Sequence, residues 1–394
     1  MTRRPLSLVA WALALVTAAA VVWQAFTTGR IEQADGCGFD GEQYCAAARG
    51  ERIAPPYSRR PLVPLLVRAL RLGSVLDRFL VVDLVALAVA AFLVGVLVVR
   101  LAGDAARSRA VAAAVVAGCL VLLQPLTVHA AFAYPAATDP VALALALGWL
   151  VLLLGGRPWL SLPVAVLLVL ARESWGPVVV AVVVVDALLD RSQWRLAVVT
   201  AVACAGAVAV DFLQPSAGTS MSTVQVVKTW LRAHFGSGGG LARLVWMTVT
   251  GLGLVPLLLV ARSSWRVPRR PLALLVTAAL LNAVLAVIGG NDTARLLLPT
   301  MAIALAPALA AVARSPRLDL PLVALVVGCV ALWRPWTVAP TDVDGFLAYF
   351  TPYYSSGEVF TRRLVLDLGV AVAAGCAAAV SAYRLPLFPG ETTP

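Results

Sequence analysis

The chain is predicted to be an all-α polytopic membrane protein with about twelve membrane-spanning helices. Three observations carry that expectation. Hydrophobic residues make up 61% of the 394 residues and charged residues only 13%, against roughly 45–50% and 25% in soluble domains. Apolar runs close to the length that crosses a bilayer recur from end to end. Arginines gather in the short gaps between alternate runs, as the positive-inside rule asks.

The runs fall at residues 6–26, 79–100, 110–128, 139–154, 159–171, 174–190, 195–213, 243–261, 271–288, 295–313, 318–333 and 364–383. The first follows Met1-Thr-Arg3-Arg4-Pro. It is too long for the apolar region of a signal peptide and lacks a close small-x-small cleavage site, so it reads as an uncleaved span. Arg3 and Arg4 put the N-terminus on the cytoplasmic side. Arg100, Arg107, Arg109, Arg157, Arg191, Arg195, Arg262, Arg266, Arg269, Arg270, Arg314 and Arg317 then fall in short cytoplasmic loops. Residues 1–394 form a single integral membrane domain, with long extracytoplasmic loops at 27–78, 214–242 and 334–363. The runs at 159–171 and 174–190 are short enough for a pair of re-entrant helices around Arg172-Glu173.

The net charge is +11, and Lys228 is the one lysine. A lipid surface accounts for such a charge here. No nucleic-acid module, P-loop or dinucleotide fingerprint occurs, and no transporter-type internal repeat is visible.

The first loop carries the chemistry. Asp35-Gly-Cys37-Gly-Phe-Asp40-Gly-Glu-Gln43-Tyr44-Cys45 is acidic and polar directly after the first span. Asp40-Gly-Glu-Gln43 fits a helix start, with Asp40 as N-cap and Gln43 reaching back as in a capping box. The helix would stop at Gly50. Cys37 and Cys45 bracket Asp40 in a compartment that permits disulfides, either paired or as two free thiols. The other cysteines lie in apolar runs as packing residues, and no Cys/His spacing suggests zinc.

Tyr57-Ser-Arg59-Arg60-Pro61-Leu-Val-Pro64 opens a second helix. Positions 60, 64, 68 and 71 share one face, opposite Leu62, Leu65, Leu66, Ala69 and Leu70, as in an amphipathic interfacial helix. Arg68 and Arg71 suit snorkelling to lipid headgroups, whereas Arg59 and Arg60 suit a specific phosphate. Arg172-Glu173 is either a functional pair at membrane depth or a local ion pair in a turn. Thr138 or Asp139 caps the fourth span. Arg295 sits in a helix first turn, where the macrodipole does not favour a cation, and so points to a bound anion. Asp83 and Asp211 are buried candidates without an evident partner. Lys228, Arg232 and His234 share a short helix before a glycine run, 236–240, that would make a mobile lid. Tyr349, Tyr353 and Tyr354, with Asp342, Asp344 and Glu358, suit sugar contacts or an interfacial aromatic belt.

Four of these motifs in order resemble those of the GT-C superfamily of integral membrane glycosyltransferases, in particular its bacterial members with Asp-Gly-x-x-Tyr after the first span. They are Asp40-Gly-Glu-Gln-Tyr44, Tyr57-Ser-Arg59-Arg60-Pro-Leu-Val-Pro64, Arg172-Glu173 and Asp292-Thr-Ala-Arg295-Leu-Leu-Leu-Pro299. The resemblance implies a bacterial cell-membrane enzyme acting on the extracytoplasmic face. It would move a sugar from a polyprenyl-phosphate donor to a glycan, lipid or protein acceptor, with inversion. Asp40 would be the general base and Asp35 a second carboxylate, although many members have two adjacent acidic residues here. Arg59, Arg60, Arg172 and Arg295 would hold the donor phosphate. Tyr44, Tyr57, Asp139, Glu173 and Asp292 would bind substrate. A divalent cation, Mg or Mn, is used by some families of this fold and not by others. The rival expectations are a transporter or lipid flippase, which would move substrate without making a glycosidic bond, and a non-catalytic scaffold, which would tolerate Asp40→Asn.

Overall fold

The computed structural model describes residues 5–53, 57–212, 223–260, 266–289, 293–350 and 362–383. Every regular element among them is helical. Each apolar run of the sequence forms helix, because apolar side chains leave a backbone only its own hydrogen bonds to satisfy it in hydrocarbon. The helices are α1 (Pro5–Thr27), α2 (Gly41–Arg49), α3 (Leu62–Ala69), α4 (Val75–Ala102), α5 (Arg107–Leu123), α6 (Val128–Ala133), α7 (Asp139–Leu154), α8 (Pro158–Ala171), α9 (Trp175–Leu189), α10 (Trp194–Phe212), α11 (Thr223–Phe235), α12 (Gly238–Leu252), α13 (Arg269–Gly289), α14 (Thr293–Leu296), α15 (Leu298–Arg314), α16 (Asp319–Trp333), α17 (Val343–Phe350) and α18 (Arg362–Tyr383).

Six stretches are long and apolar enough to cross a membrane: Leu6–Thr27, Val75–Ala102, Arg107–Ala133, Arg191–Ala209, Arg269–Gly289 and Pro316–Trp333. α7, α8, α9, α15 and the Val365–Ser381 part of α18 are apolar but shorter. At 1.5 Å per residue, the 14 residues of α8 and 15 of α9 reach about 21–23 Å, less than the ~30 Å of a hydrocarbon core.

Two expected runs are broken. The run at 243–261 stops at Gly253, which has φ +66°, and continues as a 3-10 turn over Val255–Val260. The run at 295–313 is split into α14 and α15 around Leu297. The glycine run expected as a lid instead opens a helix. Ser237 caps α12 by accepting from the Gly240 N–H at 3.0 Å. A Cβ at Gly240 would lie 2.1 Å from the Ala233 carbonyl, so glycine there lets α11 and α12 close on each other. Residues 214–222 lie outside the described residues.

α4 packs on α5, α7 and α15. Small residues let α4 and α5 approach closely: a Cβ at Gly118 would lie 3.0 Å from the Ala91 carbonyl, the small-residue contact common between membrane helices. The opposite face of α4 exposes Val81, Val85, Val89, Phe92 and Val99, spaced as one helical stripe turned to a nonpolar surround.

The two poles of the bundle differ. At one, arginines tie helix ends together: Arg109 to Asp319, Ala313 O and Val312 O, and Arg270 to Asp186 at 2.6 Å. At the other, the end of α1 and the first long loop dock on the last long loop. Trp23 Nε1 donates to Trp336 O at 2.7 Å, and Thr341 Oγ1 to Glu32 Oε1 at 3.0 Å.

Candidate functional site

Loop contacts hold Asp40 in place. The Ile31 N–H donates to Ala133 O at 3.0 Å and the Glu32 N–H to Thr341 O at 2.9 Å. Phe39 packs against Tyr134 and Phe346, with ring centroids 6.4 and 6.1 Å apart. Cys37 and Cys45 are joined in a disulfide, with Cα atoms 6.4 Å apart. α2 starts immediately after Asp40 and ends at Gly50, whose φ of +91° favours glycine.

Asp40 stands before α2 but does not cap it. Its backbone is helical, at φ −62° and ψ −28°, and its side chain accepts no hydrogen bond from the helix. Capping needs extended backbone at that position, so the expected capping box with Gln43 is corrected. The carboxylate turns to other partners. Tyr57 Oη donates to Asp40 Oδ1 at 2.9 Å, and Arg295 Nη2 lies 3.8 Å from Oδ2. The Gly41 N–H donates to Tyr134 Oη at 2.6 Å, which fixes the chain beside Asp40. Burial, then the Asp40 charge and hydrogen bond, raise the Tyr57 pKa well above the usual phenol range. Tyr57 therefore stays a neutral donor.

Arg60 is the second centre. Its Nε and Nη2 donate to the two Glu173 oxygens at 2.8 and 2.9 Å, and its Nη1 to Tyr44 Oη at 2.7 Å. This is a bidentate, charge-assisted pair. Burial pushes Glu173 up, but the Arg60 guanidinium outweighs it and holds the carboxyl below its ordinary value. The expected arginine stripe is corrected accordingly. Arg60 precedes α3 and points to Glu173, Pro64 is buried, and Arg71 follows the extended Leu70 beyond the helix.

Arg172 and Glu173 are not a local pair. They diverge, Arg172 to Asp139 and Glu173 to Arg60. Asp139 also meets Arg295 Nε at 3.4 Å. The expected capping role at the start of α7 is absent, since Thr138 makes no side-chain cap and Asp139 is bound to guanidiniums. Burial, then the charges of Arg60 and Arg295, lower the Arg172 pKa to about 9, so it remains cationic at neutral pH.

The structure thus brings together Asp40, Tyr44, Tyr57, Arg60, Asp139, Arg172, Glu173 and Arg295, drawn from the first loop, α7, the α8–α9 turn and α14. Beside them lies a cavity of about 90 Å³, lined by the charged Arg60, Asp139, Arg172, Glu173 and Arg295, by Asn282, and by apolar residues that include Ala142, Leu285 and Ala286. Polar heads meet an apolar wall, the shape of an amphiphile's environment. Asp35 is not part of the cluster. It lies exposed at φ +52° in the Gln33–Gly36 turn and makes no hydrogen bond or ion pair among the described residues. Arg59 ends the Tyr57–Arg59 turn. Asp292, with Tyr353, Tyr354 and Glu358, lies outside the described residues, as does the Asp211 side chain. Tyr349 is buried against His129, with ring centroids 5.2 Å apart.

Tyr134 is the member that sequence reasoning missed. A lone tyrosine before a proline carries no pattern, although its nearness to Asp139 was a usable hint. Among the described residues no three His, Cys, Asp or Glu side chains converge to hold a metal ion. No family model, curated protein or solved structure matches the chain.

Two expected outcomes arise here. Asp83 in α4 is fully buried and neither carboxyl oxygen has a partner. It borders a cavity of about 20 Å³ shared with Thr127, Tyr134, Asp139 and Arg295. Burying an unpaired polar group costs about 1–3 kcal/mol, so Asp83→Leu raises the thermal midpoint in detergent. An unchanged or lower midpoint would mean that a bound water or ion satisfies the carboxyl. Secondly, alkylation in denaturant without reductant leaves Cys37 and Cys45 unlabelled while labelling the other four cysteines. Labelling of all six would disprove the disulfide.

Proposed function

We propose that the chain is an inverting membrane glycosyltransferase that takes a sugar from a polyprenyl-phosphate donor. The observation that carries this reading is Asp40, with its side chain 37% exposed, held between Tyr57 and Arg295, with Arg295 also lining a cavity rich in guanidinium groups. An acceptor hydroxyl attacks the anomeric carbon and its proton passes to Asp40. The bond from that carbon to the phosphate oxygen breaks, and the lipid phosphate leaves as an anion. Arg295 and Arg172 stabilise the growing charge, while Tyr57 orients the base. Arg60 and Glu173 brace each other and keep Tyr44 in place. The apolar wall from α13 suits the first isoprene units.

On this reading the short helices complete about twelve crossings of a bacterial cell membrane. The N-terminus is cytoplasmic and the Asp40 pole faces out. The acceptor is a glycan, lipid or protein. The test is sugar transfer from labelled polyprenyl-phosphate sugars in membranes of a host lacking the gene, wild type against Asp40→Asn. Flipping or uptake without a new glycosidic bond would replace this reading with a transporter.

A further inference from the structure

A second, larger opening meets the site from the other side. It is a groove of about 490 Å³ between α2 and α3, lined by Gly50, Arg52, Tyr57, Ser58, Arg60 and Arg68 among others. That volume lies within the roughly 300–1,000 Å³ of small-ligand sites. Tyr57 and Arg60 are among its lining residues. Tyr57 is the residue bonded to Asp40, and Arg60 also lines the inner cavity. A hydroxyl bound in the groove beside Tyr57 therefore lies next to the residue that donates to the Asp40 carboxylate.

The charge of the groove is one-sided. Arg52, Arg60 and Arg68 face a single acid, Glu51. Arg60 is committed to Glu173, and Glu51 has Arg49 at 3.9 Å. Arg52 and Arg68 are exposed and make no hydrogen bond or ion pair among the described residues. The Arg68 guanidinium crosses over Gly50, where a Cβ would come within 3.1 Å of Nη1, so it lies across the groove from α3 to the end of α2. Ile53, Pro61 and Leu65 also line the groove and add apolar surface that suits the C–H faces of pyranose rings.

We infer that this groove binds the sugar acceptor, and that the acceptor is an acidic glycan whose carboxylates are read by Arg52 and Arg68. Its role as acceptor, and the choice of a glycan over a lipid headgroup, rest on the proposed transferase function, while the excess of arginine charge in the groove does not. Convergence on the Tyr57–Asp40 pair favours a glycan over a lipid headgroup, because a headgroup site has no need to lead to a hydroxyl-activating residue.

The experiment measures binding of labelled oligogalacturonate, with a neutral malto-oligosaccharide of equal length as control, to the full chain in nanodiscs of zwitterionic lipid. Wild type binds the acidic probe, more weakly as salt rises, and binds the neutral one at least tenfold less. Arg52→Gln/Arg68→Gln weakens acidic-probe binding about tenfold or more, and Arg52→Lys/Arg68→Lys retains most of it. Equal binding of both probes, or unaltered binding by the Gln variant, overturns the inference. So does failure of the acidic probe to bind while the Gln variant loses association with phosphatidylglycerol vesicles, which would make the groove a lipid site. Binding needs no turnover, so failure of the transferase reading would show in the transfer assay alone.

Discussion

Asp40→Asn protein accumulates to wild-type level and loses about 10²–10⁴-fold in sugar transfer, the range for removing a general base. The substitution keeps volume, and the amide oxygen can still accept from Tyr57 Oη, which now stands 2.9 Å from Asp40 Oδ1. Asp40 makes no helix cap, so no capping energy is lost. What disappears is an oxygen that can take a proton and the charge facing Arg295. Abundance and thermal midpoint therefore hold while transfer falls. Equal transfer by both proteins would remove Asp40 from the chemistry.

The second large effect lies at the opposite pole and concerns stability. Arg109 donates to both Asp319 oxygens at 3.1 and 2.6 Å, and to Ala313 O at 3.1 Å and Val312 O at 2.7 Å. It thus satisfies a buried carboxylate and the last carbonyls of α15 together, where the helix dipole favours a cation. The two side chains are only 9% and 6% exposed. Arg109→Met leaves Asp319 buried and uncompensated, a cost of about 3–5 kcal/mol. The thermal midpoint in detergent drops sharply. Arg109→Met/Asp319→Leu recovers most of the loss, because the desolvation cost goes with the charges. A single variant as stable as wild type would show that the pair contributes nothing.

The helices were legible because apolar runs of this length have few alternatives in hydrocarbon. The residues of the candidate site were legible as types: a carboxylate beside the first span, arginines where lipid snorkelling does not need them, and two adjacent charges, Arg172 and Glu173, that interrupt an apolar stretch. Their pairing was not. Arg60 and Glu173 are separated by 113 positions, and no local rule joins them. Local rules misled where they applied best. Asp40-Gly-Glu-Gln43 has the composition of a capping box, yet Tyr57 and Arg295 compete for the same carboxylate. Arg109 and Arg270 read as topology signals, and nothing nearby reveals that each also neutralises a buried aspartate, Asp319 or Asp186. Tyr134 carries no signal beyond its neighbours.

The wiring of the first loop bears on how the protein is made. Its anchors are scattered down the chain: Tyr134, Glu173, Arg295 and Thr341 each hold a residue of the loop that emerges from the ribosome near the start. When Asp40 and Arg60 leave the exit tunnel, none of these partners exists yet. The charged loop must wait, already pinned between Cys37 and Cys45, while later helices are inserted one after another. Arg295 and Thr341 come last of these four, so the pocket closes only after they have been made. A chain interrupted before then would carry the right residues in an unassembled centre.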